Sequence, residues 1–257
     1  LKRSDVGVAM GQRGSDVTRE VADLVLLDDN FATIEAAVEE GRGIYDNIQK
    51  FLRFLFSTNV ALVLLVTIGV VGAAAWDLRD DLGDLLVPLT AVQLLWINVI
   101  ADGPPALALG LDRNPGVMKR KPRSTSAPLL TRAGLKFILI TGVMKAALGL
   151  LLFFGLPGLD YSGDETRTAV FLYESLAQLA FVYPARLITN RPLRNRVLNV
   201  IVGVTVLIQI ATVANPGLRS ILGLETLDQA AYGLIAVALL VSVAGAFASA
   251  RYTREPA

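Results

Sequence analysis

Long apolar runs alternate with short polar loops along most of this chain, and the pattern predicts membrane-spanning helices. Six runs follow residue 53, and each can cross a hydrocarbon core of about 30 Å at about 1.5 Å per helical residue. They cover residues 54–75, 85–111, 137–159, 168–185, 197–218 and 229–250. The second run contains Asp102-Gly-Pro-Pro, and its two prolines should break the helix because they lack backbone donors.

The first 53 residues follow a different pattern. Residues 6–10 and 24–27 predict two short strands, and Ser15 or Asp16 can cap a helix between them. This spacing is typical of the edge of a parallel sheet, but the segment is too short to bury its own core. We therefore expect residues 1–34 to complete an α/β domain whose remainder lies upstream, so that the chain is a fragment of a longer protein.

Residues 35–53 predict a helix with charged and apolar faces that continues into the first apolar run without a clear stop. It would form a cytoplasmic stalk between the α/β segment and the membrane. The predicted domains are therefore residues 1–34, the stalk at 35–53, and a transmembrane domain at 54–257.

The charges of the loops predict the orientation. Loops 76–84 and 160–167 are acidic, whereas the basic residues gather in loops 112–133 and 186–196 and in the C-terminal tail. Because cytoplasmic loops carry an excess of Lys and Arg, both termini should be cytoplasmic, and the plasma (cytoplasmic) membrane is the expected location. The basic residues of these regions are Arg113, Lys119, Arg120, Lys121, Arg123, Arg132, Arg186, Arg191, Arg194, Arg196, Arg251 and Arg254.

The amino-acid composition limits the kinds of site and partner that this chain can have. Hydrophobic residues make up 53% of the 257, which agrees with a bilayer environment, and the net charge of +1 gives no reason to expect nucleic acid as a partner. The sequence contains no Cys and no His, which excludes disulfides and catalysis by either side chain. A metal site in this chain must use oxygen ligands, and these favour hard cations.

Asp102 is the main candidate for such a ligand. A carboxylate near the middle of a span costs at least about 2.5–3.5 kcal/mol on insertion scales, so it is usually paired or functional. Asn98 lies one helical turn earlier, and Gly-Pro-Pro frees backbone carbonyls beside both residues. These oxygens predict a cation site, although hydrogen bonding between helices is an alternative role for both side chains.

Four other polar residues lie within predicted spans. Asn59 is either an ion ligand or a hydrogen-bonding residue between helices. Lys145 and Glu174 lie in consecutive spans, where they can form an ion pair, and Gln178 is one turn from Glu174. We treat Gln178, Glu174 and Lys145 as secondary polar sites, with structural packing as the alternative.

Several motifs, in order, resemble the calcium-transporting (type II) branch of the P-type ATPases. Residues 5–11 (DVGVAMG), 14–17 (GSDV) and 22–30 (ADLVLLDDN) resemble the end of the phosphorylation domain. Residues 41–51 (GRGIYDNIQKF) resemble the stalk that leads into the fifth membrane helix. Residues 93–106 (QLLWINVIADGPPA) and 121–124 (KPRS) resemble the sixth membrane helix and the loop after it.

The resemblance implies a mainly α fold, with a six-helix transmembrane bundle formed by membrane helices five to ten. Residues 1–34 would be a short α/β remnant of the Rossmann-like phosphorylation domain. The phosphorylated aspartate and the actuator and nucleotide-binding domains, with their ATP and Mg²⁺, would lie upstream. This chain would then contain no catalytic residue and would be inactive by itself.

The resemblance also implies a transported ion and its ligands. It places Ca²⁺ at Asn98 and Asp102, with Asn59 in a supporting position. Two-site pumps carry an acid where this chain has Leu62 and tend to carry Thr at Ala101, so one ion per cycle is expected; the family's eighth-helix acid falls near Gln178. The alternatives are a P-type pump for Mn²⁺, Mg²⁺ or Na⁺, a secondary cation transporter, and a non-catalytic membrane scaffold.

Overall fold

A computed structural model describes residues 1, 3–122, 124, 128–187 and 194–253. Three basic residues counted in the loops, Arg123, Arg191 and Arg254, lie outside these ranges. The chain forms two compact units, one of Leu1–Tyr45 with Pro115–Arg123 and the other of Asp46–Asn114 with Ser124–Ala257. Helix α2, Phe31–Ala75, contributes residues to both.

The first unit contains the predicted strand–helix–strand segment. Strand β1, Val8–Met10, pairs in parallel with β2, Leu24–Leu26, and helix α1, Asp16–Glu20, lies between them in sequence. Ser15 caps α1 by accepting a hydrogen bond from the Thr18 amide. The predicted α/β character of this segment is therefore confirmed.

A turn follows β1, and the carboxylate of Asp29 holds it in place. The backbone amides of Gln12 and Arg13 each donate to this carboxylate at 2.9 Å. The hydrogen bond from Gln12 is the main reason that the pKa of Asp29 lies below its ordinary value. Gly11–Gly14 is thus a structural turn.

The second unit is a helical bundle, as predicted. Besides α2, it contains a π-helical turn at Ile97–Asp102 and a 3₁₀ turn at Pro157–Leu159. Its other helices are α3 (Ala91–Trp96), α4 (Gly103–Gly110), α5 (Arg132–Gly155), α6 (Gly163–Ala185), α7 (Arg196–Ala214), α8 (Pro216–Leu222) and α9 (Gln229–Tyr252).

Several helices begin before the apolar runs do because polar side chains cap them. The Thr131 hydroxyl accepts from the Gly134 amide, so α5 begins at Arg132, five residues before the predicted run. Ser162 and Glu165 form a capping box at the start of α6. Hydropathy alone cannot locate these starts, because the first turn of each helix is polar.

The predicted break in the second run takes the form of a π-helical turn. Helix α3 ends at Trp96, the wider turn runs from Ile97 to Asp102, and α4 starts with prolines in its first turn. Proline is tolerated there because the first amides of a helix have no intrahelical acceptor. The α-helix is therefore interrupted, but the backbone stays helical, and isolated π turns are frequent at functional sites.

Among the described residues, five helices are long and apolar enough to cross a membrane by length and composition: α2, the α3–α4 segment, α5, α7 and α9. Helix α6 forms where the fourth of the six predicted runs lies, but it is not among them. Its place in the bundle explains its lower apolarity, because 18 of its 23 residues are buried and it contacts α5, α7 and α9. Helix α6 is thus the central helix of the second unit.

Candidate ion-binding site

Asp102 ends the π-helical turn with its side chain directed into the bundle, where it is 3% exposed. Its Oδ1 accepts a hydrogen bond from Nε2 of Gln178 on α6. Its Oδ2 has no hydrogen-bond partner among the described residues, and Thr58 of α2 lies beside the carboxylate. Since buried carboxylate oxygens are normally satisfied, the free Oδ2 marks a place where a ligand can bind.

Three further side chains continue inward from Asp102. Oε1 of Gln178 accepts a hydrogen bond from Nζ of Lys145 on α5, and this ammonium group lies 2.8 Å from Oε2 of Glu174. Lys145, Glu174 and Gln178 are all 0% exposed. We call Asp102, Gln178, Lys145 and Glu174 the buried polar chain. It links the π-helical turn to α6 and α5.

Neighbouring groups fix the position of the lysine. The Tyr173 hydroxyl donates to the Lys145 backbone carbonyl at 3.1 Å and lies 3.2 Å from the Ser242 hydroxyl of α9. The Lys145 ammonium also lies 5.9 Å from the centre of the Phe181 ring, within the range of a cation–π interaction. Lys145 is therefore held at both its backbone and its charged end.

The pairing of Lys145 with Glu174 is ionic rather than a well-aligned hydrogen bond. Glu174 Oε2 is close to the ammonium without hydrogen-bond geometry, and Oε1 has no partner within the described ranges. A methyl group added at Gly149 of α5 would lie 2.9 Å from that Oε1. The glycine therefore leaves the room that the carboxylate occupies.

The two candidate asparagines, Asn98 and Asn59, are not part of the buried polar chain. Asn98 is exposed and donates through Nδ2 to the Leu94 carbonyl, whereas Asn59 is half-buried and donates to the Leu55 carbonyl, both at 2.8 Å. In the described part of the protein, neither Oδ1 accepts a hydrogen bond. Neither amide forms a hydrogen bond with Asp102 among the described residues, and their role as ligands stays a prediction.

The donor set available to a metal is poor in carboxylates. The described residues include no group of three or more Asp or Glu side chains that could hold a metal ion, and the sequence has no His or Cys. Asp102 also contacts no guanidinium group within those ranges, so its charge is not neutralised by arginine. An ion at this carboxylate would need amide and carbonyl oxygens as its other ligands.

A second buried polar cluster, which the sequence did not reveal, surrounds Asp112 just after α4. Its carboxylate accepts from Lys50 Nζ at 2.8 Å, from Arg186 Nε and Nη2 at 2.9 and 2.7 Å, and from Asn195 Nδ2 at 2.9 Å. We call these four residues the Asp112 cluster. Burial alone would raise the pKa of Asp112, but the bonds from Arg186 and Lys50 outweigh it and lower the pKa.

The Asp112 cluster changes the interpretation of one loop charge. Arg186 was counted among the basic loop residues that set orientation, yet it is 7% exposed and binds Asp112 with two nitrogens. No sequence periodicity relates residues 50, 112 and 186. The signal that the sequence offers is that each lies just outside an apolar run, Lys50 before one and Asp112 and Arg186 after one.

The described part of the chain forms a helical bundle with buried carboxylates, and five of its helices are long and apolar enough to cross a membrane, which defines an integral membrane protein. Residues 86–250 match the family model described as "Cation transporting ATPase, C-terminus". The chain therefore belongs to this family, and the resemblance to the C-terminal part of calcium-transporting P-type ATPases is confirmed.

Individual relatives agree with this assignment. A calcium-transporting ATPase of Bacillus subtilis is 36% identical over 231 residues, which is 86% of this chain and 24% of that protein. The calcium-transporting ATPase type 2C member 2 of Rattus norvegicus is 35% identical over 242 residues, or 89% of this chain and 24% of the relative. The human type 2C member 1 is 42% identical over 145 residues, 56% of this chain and 15% of its own length. The chain thus spans about a quarter or less of these relatives.

Proposed function

We propose that this chain is the transport-domain portion of an ATP-driven P-type pump that exports Ca²⁺, one ion per cycle. The observation that carries the proposal is Asp102, a buried carboxylate in a π-helical turn with one oxygen free of hydrogen bonds among the described residues. A buried negative charge of this kind is costly unless it binds a cation. Relatives named calcium-transporting ATPases support Ca²⁺ as the cation.

In this proposal Asp102 supplies the charged ligand, and Asn98 and Asn59 supply amide oxygens. Each amide nitrogen is tied to a carbonyl of its own helix, so the Oδ1 atom is left to accept from a cation. The prolines after Asp102 also leave carbonyls of the π-helical turn without their helical donors. Ca²⁺ takes six to eight oxygens, so the remaining ligands would come from upstream helices.

Two positions support one ion per cycle. Leu62 is 4% exposed and apolar where the two-site pumps that this sequence resembles carry an acid. Ala101 is 0% exposed and has no oxygen ligand to offer where those pumps tend to carry Thr. Neither position therefore supplies an oxygen ligand for a second Ca²⁺.

The energy for transport would come from ATP and Mg²⁺ bound by the upstream domains, namely the actuator, nucleotide-binding and phosphorylation domains. We propose that movement of the phosphorylation domain reaches the ion site through α2, whose helix is continuous from Phe31 to Ala75. Such movement pumps an ion only if it changes the affinity of the site. The loop charges support both termini in the cytoplasm, and the plasma membrane is the location that we propose.

The decisive experiment uses the complete pump and measures its phosphorylation by ATP as a function of free Ca²⁺. We expect Asp102→Ala to abolish Ca²⁺-dependent phosphorylation while phosphorylation by inorganic phosphate, which does not require the ion, persists. Asp84→Ala, in an exposed loop, is the matched control and should behave as the wild type. Normal Ca²⁺ dependence in the Asp102 variant would refute the site.

The same assay identifies the ion. Mn²⁺ and Na⁺ are tested in place of Ca²⁺ at a constant concentration of Mg²⁺ and ATP, and phosphorylation with Mg²⁺ and ATP alone tests Mg²⁺. The cation that supports phosphorylation at the lowest concentration is assigned as the transported ion. Membership in a family of cation-transporting ATPases favours a pump over a secondary transporter or a scaffold. A scaffold would show no ion-dependent phosphorylation with any of the four cations.

A further inference from the structure

We propose that Lys145 is a tethered cation that occupies a second cation site, formed by Glu174 and Gln178 beside Asp102, and so limits the pump to one transported ion. This inference rests on the proposed function, because it assumes that Asp102 binds the transported cation. It assigns a role to the three residues of the buried polar chain that the ion site itself does not use.

The oxygens around the ammonium group are arranged as a cation site. Glu174 and Gln178 lie one turn apart on α6, so both side chains leave the same face of that helix. The carboxylate comes within 2.8 Å of Nζ, and the Gln178 amide directs its oxygen at the same nitrogen. The other end of this amide binds Asp102, so the two sites are adjacent.

The charges explain why one site remains for a transported ion. Asp102 and Glu174 carry two negative charges when ionised, and Lys145 carries one positive charge, which leaves the buried polar chain with a net charge of −1. Oδ2 of Asp102 and both carboxylate oxygens of Glu174 have no hydrogen bond among the described residues. A purely structural ion pair would not leave these oxygens unsatisfied, whereas a partly filled pair of cation sites would.

Removing the ammonium group would expose an oxygen donor set for a hard cation. Glu174 would provide a carboxylate, Gln178 an amide oxygen and Asp102 a carboxylate shared with the first site. Methionine at position 145 would keep much of the apolar volume of the lysine stem, while the volume of the ammonium group becomes free for an ion or water. Divalent or monovalent hard cations are the ligands that such a site would take.

The test measures bound radioactive Ca²⁺ at equilibrium on the complete pump, divided by the amount of pump that inorganic phosphate phosphorylates. We expect one ion for the wild type, one for Lys145→Arg, which keeps the charge, and two for Lys145→Met. One ion bound to Lys145→Met would overturn the proposal, as would two bound to the wild type.

A second pair of variants protects the test against misfolding of Lys145→Met. Asp102→Asn should bind no Ca²⁺, because it removes the charged ligand of the first site. Asp102→Asn combined with Lys145→Met keeps the net charge of the buried polar chain at −1 and should bind one ion at Glu174 and Gln178. If this double variant binds none, the tethered-cation proposal is wrong.

The outcomes also separate this proposal from the function on which it rests. A wild type that binds no Ca²⁺ and no other cation in the assay would refute the proposed function itself. A wild type that binds one ion, with no additional ion in Lys145→Met and none in the double variant, would leave the proposed pump in place and refute only the role of Lys145.

Discussion

The Gln178 side chain donates a hydrogen bond to the Asp102 carboxylate across 76 positions of sequence. The same amide accepts from Lys145, so it separates the carboxylate from the ammonium group. Because the amide bonds to only one oxygen of Asp102, the other oxygen, which has no hydrogen bond among the described residues, is available to bind a cation. Gln178 therefore orients the carboxylate without neutralising it.

Loss of this amide should weaken ion binding. We expect Gln178→Ala to raise the Ca²⁺ concentration for half-maximal phosphorylation by about tenfold or more, since a hydrogen bond to a charged group contributes about 1.5–3 kcal/mol. Gln209→Ala is the matched control, because Gln209 is equally buried but accepts from Trp96 instead. An equal shift in both variants would show that Gln178 acts only through general packing.

The asparagine candidates can be tested in the same way. Asn98→Ala and Asn59→Ala each remove an oxygen that accepts no hydrogen bond within the described ranges, and we expect each to raise the half-maximal Ca²⁺ concentration by about tenfold, or ~1.4 kcal/mol. Asn199→Ala, on the exposed surface of α7, should leave it unchanged. Unchanged affinity in the first two variants would remove those residues from the site.

The Asp112 cluster should contribute strongly to the unfolding free energy of the second unit. Asp112→Asn leaves Lys50 and Arg186 as buried cations without their carboxylate, and we expect a loss of about 3–5 kcal/mol. Asp77→Asn, which breaks an exposed ion pair with Arg79, should cost about 0–1 kcal/mol. Thermal unfolding in detergent micelles compares them, and similar midpoints would contradict the prediction.

Low pH should also destabilise the protein through protonation of Asp112. Its pKa is lowered in the folded state from an ordinary value of 3.8, so its contribution to stability is complete above that value and is lost as the pH falls through the folded pKa. We expect the wild type to lose more stability than Asp112→Asn when the pH drops from about 5 to about 3. Other carboxylates titrate in both proteins and cancel in the difference, so parallel pH profiles would contradict this assignment.

Filling the space beside Glu174 with a methyl group is a further test of the buried polar chain. Gly149→Ala places a methyl group 2.9 Å from Glu174 Oε1, and we expect this overpacking to cost about 1–3 kcal/mol of unfolding free energy. Gly155→Ala, near the end of the same helix and with open space around its Cβ position, should be neutral or stabilising by up to about 1 kcal/mol. The reverse order of thermal midpoints would show that the carboxylate relaxes without cost.

The sequence predicted the features that depend on residues close together in the chain. Apolar runs located the helices, and the places of Lys145 and Glu174 in consecutive runs predicted a pairing that the structure shows at 2.8 Å. The π-helical turn was not predicted, because proline reports a lost donor but not how the backbone adjusts. The Asp112 cluster was also missed, because Lys50, Asp112 and the region of residues 186–195 are distant in sequence and only tertiary packing brings them together.

The polarity of α6 has a consequence for how the protein is made. A segment that contains Glu174 and Gln178 gains little from hydrocarbon by itself, and Lys145 makes α5 costly to leave alone in lipid. The two helices satisfy each other only when both are present, so they should enter the bilayer as a hairpin rather than one after the other. Synthesis halted between them would leave the Lys145 ammonium group in the lipid without its carboxylate partner.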